Sequence, residues 1–324
     1  MKTLVLSMIS IAATVAAMTA CTSESDGIDD LTKDAPVEIK MSAGVLNIET
    51  RSSGPISGLT GEINDVMFVK VETVKDAADN ALSWSTDPTK HNATIAANSG
   101  DITFTEKPYY SSDAEKYSYL IGYHPNTGGT LSGSEVSYTI DGKMDIMIST
   151  VTNGNKNSKG TELTPKFSHK LTQLIIWVQG DKAAADAWGT ITHIKVKDIE
   201  QKVILDLSTK ELKASTTDNT PNLLEIIHTD YPAIEAEAKE AGYCMILPKT
   251  TADAYTLEVT TNVTTKEVTV DIPASADGTT RAKNTTVAGE SYKINLTFKA
   301  NEISAKASVD SWKASSEEGA GNVD

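Results

Sequence analysis

Cysteine is almost missing from this chain: 324 residues contain two, Cys21 and Cys244. A disulfide framework is thereby excluded, and so is a zinc cluster built on thiolates. Cys244 lies in the apolar run Tyr243-Cys244-Met245-Ile246-Leu247-Pro248 and reads as a buried thiol rather than a reactive one. Arginine is equally scarce, with only Arg51 and Arg281. Against 44 Asp and Glu the chain sets 29 Lys and Arg, a net charge of −15. Nucleic acid is excluded as a partner, because binding a phosphate backbone needs clustered cations to displace its counterions. Acidity of this kind suits solubility outside the cell. The five histidines, at 91, 124, 169, 193 and 228, are scattered, and none stands at ligand spacing with another histidine or a cysteine. Asp141 and Asp145 in Asp-Gly-Lys-Met-Asp lack the alternating oxygen ligands and closing glutamate of a calcium loop. There is no glycine-rich phosphate loop and no Gly-x-Ser-x-Gly elbow. The reading is therefore of a chain that is not an enzyme and uses no metal or cofactor.

After the first twenty residues no apolar run is long enough to cross a bilayer. Those twenty combine Lys2, an apolar stretch from Leu4 to Ala17, and a small-residue ending, the pattern of a secretory signal. Met18-Thr19-Ala20-Cys21 resembles the lipobox of bacterial lipoproteins, which implies a signal peptide over 1–21 and a Cys21 carrying palmitate-type acyl chains. Each buried methylene of such a chain contributes roughly 0.8 kcal/mol, so a multiply acylated cysteine anchors durably. Plain secretion with an incidental cysteine is the alternative.

Residues 22–36 are polar, acidic and without period, a tether rather than part of a core. Beyond them a two-residue period dominates. It is carried by Met67, Val69 and Val71; by Tyr117, Tyr119, Ile121 and Tyr123; by Val136, Tyr138 and Ile140; and by Met144, Ile146 and Ile148. Turn-rich runs such as Asn-Thr-Gly-Gly-Thr-Leu-Ser-Gly-Ser separate these strands. The polar interval 151–164 closes a first domain. A second β region opens at Phe167-Ser-His-Lys-Leu, where Leu174, Ile176 and Val178 face one way and Ile175 and Trp177 the other, as for a strand covered on both sides. Helix is confined to Tyr231–Gly242, with its early Pro232 and terminal glycine, and to a turn at Asp181–Trp188. The expected fold is all-β, two sandwich domains over 52–164 and 165–324 with one or two short helices.

Several stretches resemble the fimbrillin family, the lipoprotein-derived pilus subunits of Gram-negative anaerobes. Phe167–Val178 is similar to the strand that opens that family's second domain; Ala288–Phe298 followed by Ile303–Trp312 resembles its closing strand pair; Tyr117–Pro125 and Lys143–Ser149 resemble first-domain segments. The resemblance implies two tandem transthyretin-like sandwiches with Greek-key character, carried to the outer membrane as a lipoprotein and exposed at the cell surface in a fimbrium. It also implies an Arg-specific protease cutting between Arg51 and Ser52, which removes the anchor together with a first strand. Other pilin subunits, in a homo- or heteropolymer, are then the partners, each donating a strand to its neighbour. Adhesion is the implied role, with a host or bacterial surface as receptor.

The residues are consistent with that scheme. Val37, Ile39 and Met41, then Leu46 and Ile48, form an alternating segment within 22–51 that ends at Arg51-Ser-Ser-Gly-Pro, a link open to proteolysis. Its loss would uncover an apolar groove and unpaired backbone groups. Ile303, Ala305, Ala307 and Val309, with Trp312 closing the run 302–312, offer a replacement with the same period. Spacing alone leaves open that these are an ordinary first strand and an ordinary last one. A different function, glycan binding by a monomeric surface lipoprotein, would use the loop aromatics Trp84, Tyr109 and Tyr110.

Overall fold

The computed structural model describes residues 35–45, 61–158, 160–217, 222–275 and 281–310. In chain order the strands are β1 (Gly44–Val45), β2 (Ile63–Thr73), β3 (Thr89–Ile95), β4 (Ile102–Phe104), β5 (Tyr117–His124), β6 (Thr130–Ser132), β7 (Glu135–Thr139), β8 (Met147–Ser149), β9 (Thr152–Gly154) and β10 (Lys166–His169). There follow β11 (Thr172–Gly180), helix α1 (Lys182–Trp188), β12 (Ile191–Ile199), β13 (Lys202–Asp206), β14 (Glu211–Ala214), β15 (Asn222–Glu225), β16 (Lys239–Ile246), β17 (Tyr255–Thr261), β18 (Thr265–Val270), β19 (Ser291–Lys299) and β20 (Glu302–Asp310). The fold is mostly β, as the two-residue period requires.

The largest sheet runs β1-β10-β8-β5-β2-β3-β4, with β9 also paired to β5. Three four-stranded sheets have the orders β16-β11-β19-β20, β15-β12-β17-β18 and β14-β13-β7-β6. Alternation is cleanest in β17, where Tyr255, Leu257 and Val259 are buried while Thr256, Glu258 and Thr260 are half-covered. β2 departs from it. Met67, Val69 and Val71 face the main core, while Val66 and Phe68, on either side of Met67 in sequence, are also fully buried, in a second core. β5 does the same, with Tyr119, Ile121 and Tyr123 on one side and Leu120 on the other. The large sheet therefore separates two apolar cores, which is why its central strands read as near-continuous hydrophobic runs.

Only one of the two expected helices forms. In α1 the Asp181 carboxylate accepts from the Ala184 N–H at 2.8 Å, and Gly189, at φ 70°, ends the helix with its N–H on the Ala185 carbonyl. The helix expected over Tyr231–Gly242 is corrected: residues 231–238 are irregular, with a bend at Ala236 and Glu237, and lead into β16. Tertiary pairing outweighs the propensity of Ala and Glu here, because Ile234 is drawn into the main core and the Glu235 carbonyl accepts from the Gly180 N–H at 2.7 Å. Gly242 takes φ 146° inside β16, where a Cβ would stand 2.3 Å from the Ile227 carbonyl oxygen.

Residue 164, where the sequence suggests a boundary, is spanned by three ladders, one of them between β1 and β10. β10 pairs with β8, and β7 pairs with β13 with Val136 opposite Leu205 and Tyr138 opposite Val203.

Candidate assembly site

Residues Val37 to Val45 form a strip threaded between two parts of the large sheet. Its backbone alternates in the direction it bonds. The N–H groups of Ile39 and Ala43 donate to the carbonyls of Pro108 and Gly100, and the Val37 and Met41 carbonyls accept from Tyr110 and Ile102. On the other side Ser42 N–H donates to the Leu163 carbonyl, the Lys40 carbonyl accepts from Leu163, and β1 continues parallel to β10 with Gly44 opposite Lys166. Over residues 40–43 the strip is thus bonded on both flanks, as for a strand inside a sheet, while β1 beyond it ends the large sheet and pairs with β10 alone.

Side chains follow the same alternation. Ile39, Met41 and Ala43 are 1%, 3% and 6% exposed, whereas Lys40 is exposed. The three belong to the second core, together with Val66, Phe68, Ile95, Leu120, Met147 and Phe167. That core is floored by Gly122, where a Cβ would lie 2.8 Å from both the Phe167 and Phe68 rings, so only glycine lets the aromatics close over β5. At the strip's polar face Glu38 Oε2 and Lys107 Nζ form an ion pair of 2.8 Å. The Glu38 carboxylate holds the Lys107 ammonium above its ordinary pKa.

At the other end of the chain β20 is the last strand of its sheet, paired antiparallel with β19 alone. Ile303, Ala305 and Ala307 turn toward the main core, with only Ala307 fully buried, while Val309 is 47% exposed. The strip and β20 are therefore in different sheets and on different cores. Of the residues the sequence singled out, Cys21, Leu46, Ile48, Arg51, Ser52 and Trp312 lie outside the described residues.

Three of the histidines have structural partners. His169 Nδ1 meets Asp145 at 2.9 Å and His193 Nδ1 meets Glu225 at 2.7 Å; His228 stacks on Tyr231 with ring centres 3.8 Å apart. The Asp141 carboxylate accepts from the N–H groups of Lys143 and Met144, a turn of the chain around Gly142. Cys244 is fully buried, and that burial pushes its thiol pKa up, away from thiolate chemistry. Among the described residues no three His, Cys, Asp or Glu side chains gather in a way that would hold a metal. The glycan platform is corrected as well. Trp84 is 1% exposed and Tyr110 6%, both packed in cores, which leaves only Tyr109 at the surface. Sequence reasoning missed the Glu38–Lys107 pair, whose partners are far apart in the chain, and the doubly bonded state of the strip; alternation marks a strand but not how many neighbours it has.

Comparison with known proteins bears on this arrangement. The family model described as fimbrillin-like matches residues 50–312, a span that includes β20 and begins after the strip. No curated protein sequence matches the chain. Among solved structures, a protein of Bacteroides uniformis described as a candidate cell adhesion protein superposes with a TM-score of 0.59 at 18% identity, over 86% of this chain and 100% of that one. One of Bacteroides ovatus with the same description gives 0.55 at 19% identity, over 86% and 99%. At such identities the likeness is one of fold.

Proposed function

The chain belongs to the fimbrillin-like family, and on that premise we propose that it is a structural subunit of a surface pilus, matured by removal of its N-terminal strip and joined to its neighbours by strand exchange. In this reading Cys21 carries the lipid that holds the precursor at the outer membrane. A protease cuts between Arg51 and Ser52. The released piece includes the whole strip, and a neighbouring subunit's β20 replaces it. The two lobes, 52–164 and 165–324, are then the body of one bead in the fibre. Adhesion follows from the fibre's place at the cell surface.

One observation carries the reading: the segment just before Arg51 fills a core of its own and is hydrogen-bonded on both flanks. Removing it would strand backbone donors and acceptors on two sides of an apolar cleft. Burial of Ile39 and Met41 contributes about 1.5–3 kcal/mol each, and each backbone bond about 0.5–1.5 kcal/mol net. An empty cleft is costly, so it recruits a substitute strand. β20 suits donation because an edge strand with a partly covered apolar side loses less on leaving its place. The other arginine supports single-site cleavage. Arg281 is 6% exposed, donates to the Thr285 carbonyl at 2.9 Å and lies over the Tyr292 ring.

Treating the purified precursor with an Arg-specific protease tests the reading. The expected result is one cut after Arg51 followed by ladders of oligomers that persist in mild detergent. A clean cut that leaves a stable monomer, or an Arg51→Ala precursor that polymerises equally well under protease, would refute it.

A further inference from the structure

The strip and the last strand share more than a period. With Glu38 set on Glu302, the runs Glu-Ile-Lys-Met-Ser-Ala-Gly-Val (38–45) and Glu-Ile-Ser-Ala-Lys-Ala-Ser-Val (302–309) agree at four of eight positions. Three of the four agreements fall where the structure gives the strip its contacts. Ile39 and Ala43 are two of its three buried side chains, and Glu38 reaches Lys107 across the sheet. A shared period explains apolar residues at alternate places. It does not explain a matching order of large and small ones, nor a glutamate at the one ion-paired position.

We propose that β20 of one copy enters the vacated cleft of a second copy in this single register. Glu302 takes the place of Glu38 opposite Lys107 of the receiving copy, Ile303 that of Ile39, Ala305 that of Met41 and Ala307 that of Ala43. The proposal rests on the strand-exchange reading above and adds to it the alignment of donor and cleft. Neighbouring registers fit worse. A slip of one residue turns Ser304, Lys306 and Ser308 into the core. A slip of two in one direction sets Asn301 in the Ile39 site; in the other it sets Val309 in the Ala43 site and leaves alanines in both large ones. In the proposed register a single site is under-filled, where Ala305 replaces Met41.

Two sets of substitutions test the alignment in the full-length chain, with the recognition sequence of a site-specific protease inserted after Arg51 so that release of the strip is under control. Lys107 and Glu302 both have side chains about 60% exposed, so charge reversal there leaves the fold intact. Lys107→Glu and Glu302→Lys should each slow assembly about three- to tenfold, and the double variant should restore the rate. Ala305→Met should make the ladders at least about tenfold slower to dissociate, while Ala307→Met, aimed at a site sized for alanine, should weaken them. Single reversals that assemble at the parent rate, a double variant that stays slow, or tightening by Ala307→Met instead of Ala305→Met would each overturn the register while polymers still form. If no variant, nor the parent, forms polymers once the strip is released, strand exchange itself falls and the register with it.

Discussion

The strip at 37–45 and strand β20 have similar sequences and opposite situations. The strip is bonded on both sides and buries Ile39, Met41 and Ala43 to 6% exposure or less. β20 is bonded on one side, buries Ala307 and leaves Val309 47% exposed. Two runs with the same alternation thus end up as an interior strand and a rim strand. Alternation decides which face of a strand is apolar; the neighbours decide how much of that face is covered. The difference also has a direction. A chain whose rim strand copies the pattern of its interior strand holds a spare part for the position that matters more to its stability.

The comparison breaks most readily at its largest side chains. Ile39→Ala should cost about 2–5 kcal/mol in urea unfolding, because it empties a site in a small core with little room to collapse. Ile303→Ala, on a half-covered rim strand, should cost under about half as much. Equal losses would mean that β20 is held as firmly as the strip, and would remove the energetic argument for its release.

Next in size is the floor of the strip's core. Gly122→Ala pushes a methyl into the rings of Phe68 and Phe167 and should cost about 1–3 kcal/mol through overpacking. Ser304→Ala on the exposed face of β20 touches no core and should stay within about 0.5 kcal/mol. The same unfolding curves check both.

How much of this the sequence discloses depends on whether an element's environment is local. The β class and the strand positions of β17 and β19 follow from period alone, and a helical turn at Asp181–Trp188 is legible where the structure forms α1. Tyr231–Gly242 misleads because Ala, Glu and Lys favour helix only until a neighbouring strand claims the backbone; Ile234 and Gly242 record that claim, and they are legible only in hindsight. The second core escapes notice for a related reason. Val66, Phe68 and Leu120 sit at the positions that a one-faced strand would give to solvent, and nothing short of the fold shows a second layer over them. The aromatics at 84 and 110 sit in turn-rich sequence yet are buried, Trp84 in the main core and Tyr110 in the second.

Acid should separate the two regions to a smaller extent. The strip's sheet contains three histidines, His91, His124 and His169, and burial, the largest influence on the first two, holds those two below the ordinary 6.5. For His124 the Asp145 and Asp65 carboxylates oppose that fall without cancelling it. A histidine whose folded pKa is depressed takes its proton more readily when unfolded. Stability is therefore intact above pH about 6.5 and declines as pH falls toward the folded values. The sheet holding β20 contains no histidine, and its Glu302, held below 4.5 by Lys299, keeps its charge through that window. Hydrogen exchange between pH 7 and pH 5, corrected for intrinsic rates, should show lost protection in β2 and β5 and none in β19, and His124→Gln should reduce the loss. A uniform loss across both sheets would place the acid sensitivity elsewhere.

The smallest effect concerns the matched glutamates. Glu38 pairs with Lys107 at 2.8 Å and Glu302 with Lys299 at 2.6 Å, and all four side chains are a third or more exposed. Water screens such pairs, and holding two long side chains in one geometry offsets much of the attraction. Lys107→Ala and Lys299→Ala should each leave the melting temperature of the precursor unchanged within measurement error, in low salt and in high. Their effects should diverge only in assembly. Loss of Lys107 deletes the partner that the incoming Glu302 would meet, whereas loss of Lys299 frees that glutamate from its place at home. The first should slow polymer growth and the second leave it level or speed it, with the contrast fading as salt rises. A precursor destabilised by either change would show that one of these surface pairs carries structural weight, and would end the treatment of the two glutamates as equivalent.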